Sequence, residues 1–203
     1  MTSKVSVETE APLVVKVGGS LLDLPGLGPR LRTWLDTLGT PRPLVVPGGG
    51  ATSDVIRTLD RLHALGEEAA HWLALGAMSL NAAVLQALLP RSQVVADLQD
   101  APALWRRGMI PIVDGLAFAR ADKGRPGHLP HLWEVTSDSL AARIAVIAQA
   151  RKLILLKSVT IPLTLSWEEA ARDGQVDAYF AAACAPAGAN LTVTSVNFRD
   201  LIS

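Results

Sequence analysis

Cysteine is almost missing from this chain: Cys184 is the only one. A single thiol excludes an internal disulfide and any metal site built from several thiolates, and it fits a reducing compartment. Charge is scarce as well. Charged residues make up 19% of the chain, against about 25% in ordinary soluble domains. The 19 basic and 19 acidic residues cancel. Surfaces for nucleic acid or anionic membrane draw on a cationic excess, so neither partner is expected. No basic start leads into an apolar stretch. Met1 to Pro12 is polar and carries Glu8 and Glu10, so no signal peptide is expected and the cytoplasm is the expected location. Internal repeats and low-complexity tracts are absent. So are the Walker pattern Gly-x-x-x-x-Gly-Lys-Ser/Thr and a Gly-x-Gly-x-x-Gly opening the first helix.

Apolar residues are what the chain has in plenty, 49% of 203. That length is one domain's worth and buries about 70% of the surface of the unfolded chain. The composition is far too hydrophobic for disorder. With more apolar surface than charge to cover it, a thickly covered sheet and a homodimer or higher homo-oligomer are expected. Ala69 to Pro90 holds no Asp, Glu, Lys or Arg and approaches the length of a membrane span. His71, Ser79, Asn81 and Gln86 interrupt it, and proline ends it. The expectation is a helix buried inside a globular protein.

Short apolar strands alternate with helical spacing. Leu13 to Val17 is a β-branched run closed by Gly18-Gly19-Ser20, and Pro43 to Val46 is a second, closed by Pro47-Gly48-Gly49-Gly50. Val55, Ile56, Leu59 and Leu62 then recur at helical spacing, and Glu67 to Leu89 forms a longer helix. Val94 to Ala96, Met109 to Val113 and Leu116 to Ala119 read as further strands. Arg120 to His131 is a polar excursion broken by Gly124, Pro126, Gly127 and Pro130, and such excursions are often functional. Thr136-Ser137-Asp138 opens a helix with Leu140, Ile144 and Ile147 on its inner stripe. Lys152 to Leu156 reads as a strand covered on both faces. Ser166 and Glu169 have the spacing of a capping box. Ala178 to Ala189 suits a tightly packed helix and turn, and Leu191 to Val196 is the last strand. Strands separated by helices give a parallel sheet with right-handed crossovers, an α/β layered fold.

In such sheets ligands sit beyond the carboxyl ends of the strands. Three segments fall there. Lys16 with Gly18-Gly19-Ser20 offers a point charge and bare amides to an anion. It would equally suit a strand lysine beside an ordinary glycine turn. Gly48-Gly49-Gly50 leads into a helix, a natural anion site through free N–H groups and the helix dipole. A tight turn would use one or two such glycines. In Thr136-Ser137-Asp138-Ser139 an aspartate in the first turn suits the dipole, worth about 0.3–1 kcal/mol. The same carboxylate could orient lysines around a phosphoryl group in transfer, where positioning and charge neutralisation do most of the work.

Taken in order, Lys16-Val17-Gly18-Gly19-Ser20, Pro47-Gly48-Gly49-Gly50, Thr136 to Ala142 and Leu155-Leu156-Lys157-Ser158-Val159 resemble the amino acid kinase superfamily. This group includes acetylglutamate, aspartate, uridylate, carbamate and isopentenyl phosphate kinases. The resemblance runs from Leu13 to Val159. It implies a three-layer αβα sandwich around a mainly parallel sheet. It also implies transfer of the γ-phosphoryl group of ATP, with Mg2+, to an anionic small molecule. His128 to Asp138 is most similar to a short branch that phosphorylates (5-aminomethyl-furan-3-yl)methyl phosphate in methanofuran biosynthesis, giving a diphosphate.

By that resemblance, Lys16 touches the phosphoryl group in flight and Asp138 organises the lysines. Gly18, Gly19 and Ser20, with Thr136 and Ser137, hold nucleotide phosphate. Gly48, Gly49, Gly50 and His131 hold the acceptor. Residues 1–135 form the acceptor lobe and 136–203 a reduced nucleotide lobe, all in one domain. No resident metal is expected. The chain departs from its relatives after Leu156. Lys157-Ser158-Val159-Thr160-Ile161 stands where many have Thr-Asp-Val-Asp-Gly, and the late Gly-Gly-Met segment with a second catalytic lysine is absent. Lys157 is the substitute expected for that cation. Trp133 could pack an acceptor ring, and Arg57 is the one cation expected near the Gly48 loop. His63 and His71 read as structural, and Asp114-Gly115 as a turn. A non-catalytic nucleotide- or oxyanion-binding protein, or a kinase for a carboxylate, remain the alternatives.

Overall fold

The computed structural model describes residues 11–39 and 42–202; the polar stretch 1–10 lies outside them. Strand β1 (Leu13–Val17) is followed by α1 (Leu27–Thr37), β2 (Pro43–Pro47), α2 (Gly50–His63) and α3 (Glu67–Leu88). Then come β3 (Ser92–Val95), α4 (Ala101–Arg106), β4 (Ile110–Val113), α5 (Gly115–Asp122) and α6 (Ser137–Ile147). The chain closes with β5 (Lys152–Lys157), α7 (Trp167–Arg172), α8 (Phe180–Cys184) and β6 (Thr192–Asn197). The six strands form one sheet in the order β3-β4-β2-β1-β5-β6, and every pairing is parallel.

The sheet is covered on both faces, as the unbroken apolar strands require. Val14, Val46, Leu153 and Leu155 face a core shared with α5, α6 and α8. Val15, Val45, Ile154 and Leu156 face the opposite core, shared with α1. Helix α3 contributes to both cores, through Leu75 and Met78 to one and Ala82 and Leu85 to the other. The result is the αβα sandwich expected from the sequence. Ser166 does cap α7 as a capping box with Glu169.

Leu116 to Ala119 is not a strand; it lies inside α5. Asp114 accepts a hydrogen bond from the Ala117 N–H at 3.0 Å, which starts a helix there. Gly115, Phe118 and Asp122 then share its buried side, a helical spacing that a short apolar run conceals. Helices α1 and α4 have no counterpart in the sequence reading. Pro29 and Pro102 sit in their first turns, where proline is tolerated although it reads as a loop signal.

The polar excursion begins inside α5 and continues to His131. It is pinned by Arg143 of α6, which donates to both oxygens of Asp122 at 2.9 Å and to the Pro126 carbonyl at 2.9 Å. Helix α3 is buried on one side only. Ala70, Leu75, Met78, Ala82 and Leu85 are inside, whereas Leu73, Leu80, Val84 and Leu88 are exposed. It is long and apolar enough to cross a membrane by length and composition, but that inner side packs against the sheet. Helix α2 has no buried residue at all, and its Val55, Leu59 and Leu62 are exposed.

Candidate active site

Strand register builds the centre of the site. Lys16 on β1 pairs with Leu155 on β5, so Lys157, two residues further, projects from the same sheet face. That is the face covered by α6, whose first turn carries Asp138. Lys16 Nζ lies 2.8 Å from one oxygen of Asp138, and Lys157 Nζ lies 2.6 Å from the other. Lys157 also donates to the Gln175 carbonyl at 2.8 Å. Lys16 and Asp138 are both 4% exposed. One carboxylate between two ammonium groups leaves one positive charge in excess, in a place where water screens little.

This charge arrangement shows in the proton affinities. Burial pushes the Asp138 carboxyl up, but Lys16 and Lys157 more than offset it and hold it below the ordinary carboxylate value. Burial pushes the Lys157 ammonium down, Lys16 adds to this by repulsion, and Asp138 and Asp177 oppose it.

Lys16 and Asp138 line a common cavity of about 260 Å³, together with Gly19, Gly49, Gly50 and Ser137. The two glycine loops meet backbone to backbone at its edge. A Cβ on Gly19 would sit 2.1 Å from the Gly50 nitrogen, and one on Gly50 would sit 2.4 Å from the Gly19 carbonyl oxygen. Gly50 also has φ of +51°, which side chains disfavour. Close approach of the loops is therefore a reason for the glycines alongside anion binding. Not all of their amides are free. Gly18 donates to the Leu156 carbonyl at 2.9 Å and Gly48 to the Val17 carbonyl at 2.8 Å. Gly19, Gly49 and Gly50 stand at the openings of a 3-10 turn and of α2, where helices leave N–H groups unpaired.

The other expected residues divide. Ser20 lines the cavity and shares a 2.9 Å hydrogen bond with Ser158. Thr136 lines it too, but its N–H and hydroxyl both donate to Asp177, at 3.2 and 2.8 Å. The first turn of α6 is thus capped by a carboxylate of the chain. His131 is set back. It packs on Trp72, with ring centroids 4.5 Å apart, and lines a separate small void with His71. The histidine that reaches the main cavity is His71. Its Nδ1 is 2.8 Å from the Leu132 carbonyl, and burial lowers its pKa, so the ring is neutral with Nε2 left as an acceptor. Trp133 and Arg57 also line the cavity, the guanidinium 5.2 Å from the ring centre. Asp114 serves as the cap of α5 and accepts from the Ser79 hydroxyl. His63 is exposed.

Three residues were not legible as site residues. Asn81 of α3 donates to the carbonyls of Gly48 and Gly49, each at 2.7 Å, and accepts from Thr52. Asp177 and Gln175 come from the far end of the chain. An asparagine inside the uncharged stretch of α3 was the one available signal; nothing local marks the other two. Among the described residues no group of three or more His, Cys, Asp or Glu could hold a metal ion. Asp138 is already taken by two lysines, so a magnesium ion would arrive with the nucleotide as part of the substrate.

A family comparison matches residues 11–160 to the amino acid kinase family. No curated protein matches the chain. Among solved structures, the uridylate kinase of Archaeoglobus fulgidus is similar, with a TM-score of 0.65, 18% identity and 94% of each chain covered. The UMP kinase of Bacillus anthracis gives 0.66 at 16% identity, covering 93% of this chain and 88% of its own. That of Ureaplasma parvum gives 0.59 at 13% identity, with 95% of each covered. At these identities the likeness is one of fold.

Proposed function

The chain belongs to the amino acid kinase family and is a small-molecule phosphotransferase, and on that premise we propose that it moves the γ-phosphoryl group of MgATP onto a phosphomonoester, giving a diphosphate. The single observation that carries this reading is the pairing of Lys16 and Lys157 on opposite oxygens of Asp138 beside the cavity. Its excess positive charge suits an anion that gains charge density in transfer. An oxygen of the acceptor phosphate attacks the γ-phosphorus, the bond to the β,γ-bridging oxygen breaks, and ADP leaves with that electron pair. A phosphate oxygen is already ionised, so the step needs no general base. Lys16 neutralises charge on the transferring group, the free amides of Gly19 hold donor phosphate, and those of Gly49 and Gly50 hold acceptor phosphate. Asp138 keeps the lysines apart and aimed.

Residues 1–135 serve as the acceptor lobe and 136–203 as the nucleotide lobe of a cytoplasmic enzyme. The acceptor is (5-aminomethyl-furan-3-yl)methyl phosphate or a close analogue. Support comes from the likeness of the His128 to Asp138 segment and from a cavity wall of Trp133 and neutral His71, which suits a flat ring carrying a hydrogen-bond donor. UMP, the acceptor named for the similar structures, is also a phosphomonoester. The test is ADP release with MgATP and each of (5-aminomethyl-furan-3-yl)methyl phosphate, UMP and acetylglutamate. Turnover with the furan phosphate is expected. Turnover with acetylglutamate alone would replace a phosphate acceptor by a carboxylate, and calorimetric binding of MgATP with no turnover on any acceptor would favour a binding protein.

The chain also forms a homodimer through α2 and α3. No residue of α2 is fully buried within the protomer; it exposes Val55, Leu59 and Leu62, and α3, packed against it, exposes Leu73, Leu80 and Val84. Exposed apolar surface of this extent is a mark of an interface.

A further inference from the structure

One charge network has no task in the mechanism above. Asp177 lies between α7 and α8, far along the chain from everything it holds. Its Oδ2 accepts from the Thr136 N–H at 3.2 Å, the Thr136 hydroxyl at 2.8 Å and the Ser139 N–H at 3.0 Å. Its Oδ1 accepts from the Ser139 hydroxyl and from the Tyr179 N–H, the latter at 3.1 Å. Two residues earlier, the Gln175 carbonyl receives Lys157.

We propose that Asp177 is a positioning residue for phosphoryl transfer, fixing the first turn of α6 and so Asp138, while the Gln175–Asp177 segment holds Lys157 in place as the second cation. The Thr136 side chain makes no cap of its own for α6. Helix amides that a local side chain would satisfy are satisfied from 38 to 41 residues away instead. Asp138 sits between the two residues that Asp177 grips, so its backbone cannot shift without straining those bonds, while Lys16 and Lys157 hold its carboxylate. The groups facing Lys157 are Lys16, which repels it, and Asp138 and Asp177, which both support its charge. The inference rests on the kinase reading, but one arm of its test does not.

In the first arm the full chain carries ¹³C at the lysine Cε, and the Lys157 resonance, assigned by its loss in Lys157→Arg, is followed across pH without nucleotide or acceptor. Asp177→Asn removes the charge and keeps the shape. Lys157 is expected to lose its proton at lower pH than in the wild type. In the second arm ADP formation is measured with MgATP and (5-aminomethyl-furan-3-yl)methyl phosphate. The kcat of Asp177→Asn is expected to fall about ten- to a hundredfold, as for a small misplacement of reacting groups. Its acceptor KM stays nearly unchanged, and the alkaline limb of the pH profile moves to lower pH. Ser139→Ala removes one of the five bonds and is expected to show a smaller fall in the same sense, which keeps the test open if Asp177→Asn does not fold. An unmoved Lys157 titration in folded Asp177→Asn, or an unchanged kcat in Ser139→Ala, overturns the proposal. Should the wild type form no ADP while the Lys157 titration moves as expected, the kinase reading fails and the positioning of Lys157 stands.

Discussion

Lys157 reaches Asp138 at 2.6 Å on the oxygen opposite the one that Lys16 holds at 2.8 Å, so a single buried carboxylate keeps two ammonium groups from facing each other. This makes the three residues unequal under substitution. Lys16→Ala leaves Asp138 paired with Lys157, so the fold is expected to survive. Transfer should fall by about 10²–10³ in kcat, the usual loss for one transition-state donor. Coupled ADP release and a thermal melt on the same sample check both halves.

Asp138→Asn behaves differently. It leaves the buried Lys16 without its counter-charge, which costs about 3–5 kcal/mol, and Lys157 with only the Gln175 carbonyl and Asp177. Because the stranded lysines are relieved by losing protons, the variant should regain stability as pH rises. Denaturant midpoints measured from neutral to alkaline pH would show a larger recovery in the variant than in the wild type, whose Lys157 pKa is already lowered by burial.

Acid should act through the same cluster. The folded pKa of Asp138 lies below its unfolded value. The stability it contributes is therefore complete above the unfolded value and is lost as pH falls through the folded one. Lys16→Ala removes one of the two ammonium groups that hold this value down. The contribution of Asp138 is then smaller and is lost at a higher pH, readable as a shift in acid unfolding followed by circular dichroism.

Asn81 ties α3 to the Gly48–Gly49 loop through two carbonyls. Asn81→Ala leaves the buried Gly48 carbonyl unmet, at about 1–3 kcal/mol, while the Gly49 carbonyl keeps the Ser53 N–H at 3.3 Å. Loosening of the Gly48–Gly49 loop should raise the acceptor KM more than it lowers kcat. A KM that stays at the wild-type value would mean that the loop is held by its other contacts.

Glycines separate by what surrounds them. Gly50→Ala drives a Cβ to 2.4 Å from the Gly19 carbonyl at a left-handed φ, so marked destabilisation is expected. Gly76, inside α3, has nothing within 4 Å of such a Cβ. Gly76→Ala should stabilise by about 0.5–1 kcal/mol. Urea midpoints of the pair make the comparison.

The proposed dimer is testable in solution. Leu62 is 70% and Leu80 57% exposed in the protomer. Leu62→Glu with Leu80→Glu should give a folded monomer in sedimentation equilibrium, against a dimer for the wild type. A wild type that sediments as a monomer at all concentrations would remove the interface.

Much of this was written locally. Apolar runs set β1, β2 and β5, the first two closed by glycines. Their unbroken apolar character set two covered faces, and the order of Lys16, Gly48 to Gly50 and Asp138 marked one edge of the sheet. These depend on neighbours in sequence, which a chain read one residue at a time contains. Helix α5 was misread because four residues are too few to tell a period of two from one of 3.6. His71 displaced His131 in the cavity because which side of α3 meets the loop is a matter of packing.

What no local pattern held was the pairing of distant parts. Strand register alone turned Lys16 and Lys157 to the same face, and the return of the chain after α7 brought Asp177 onto α6. Sequence determined which groups could carry charge or leave a backbone bare. The tertiary structure decided which of them meet, because a buried charge must find its partner wherever the packed sheet brings the chain.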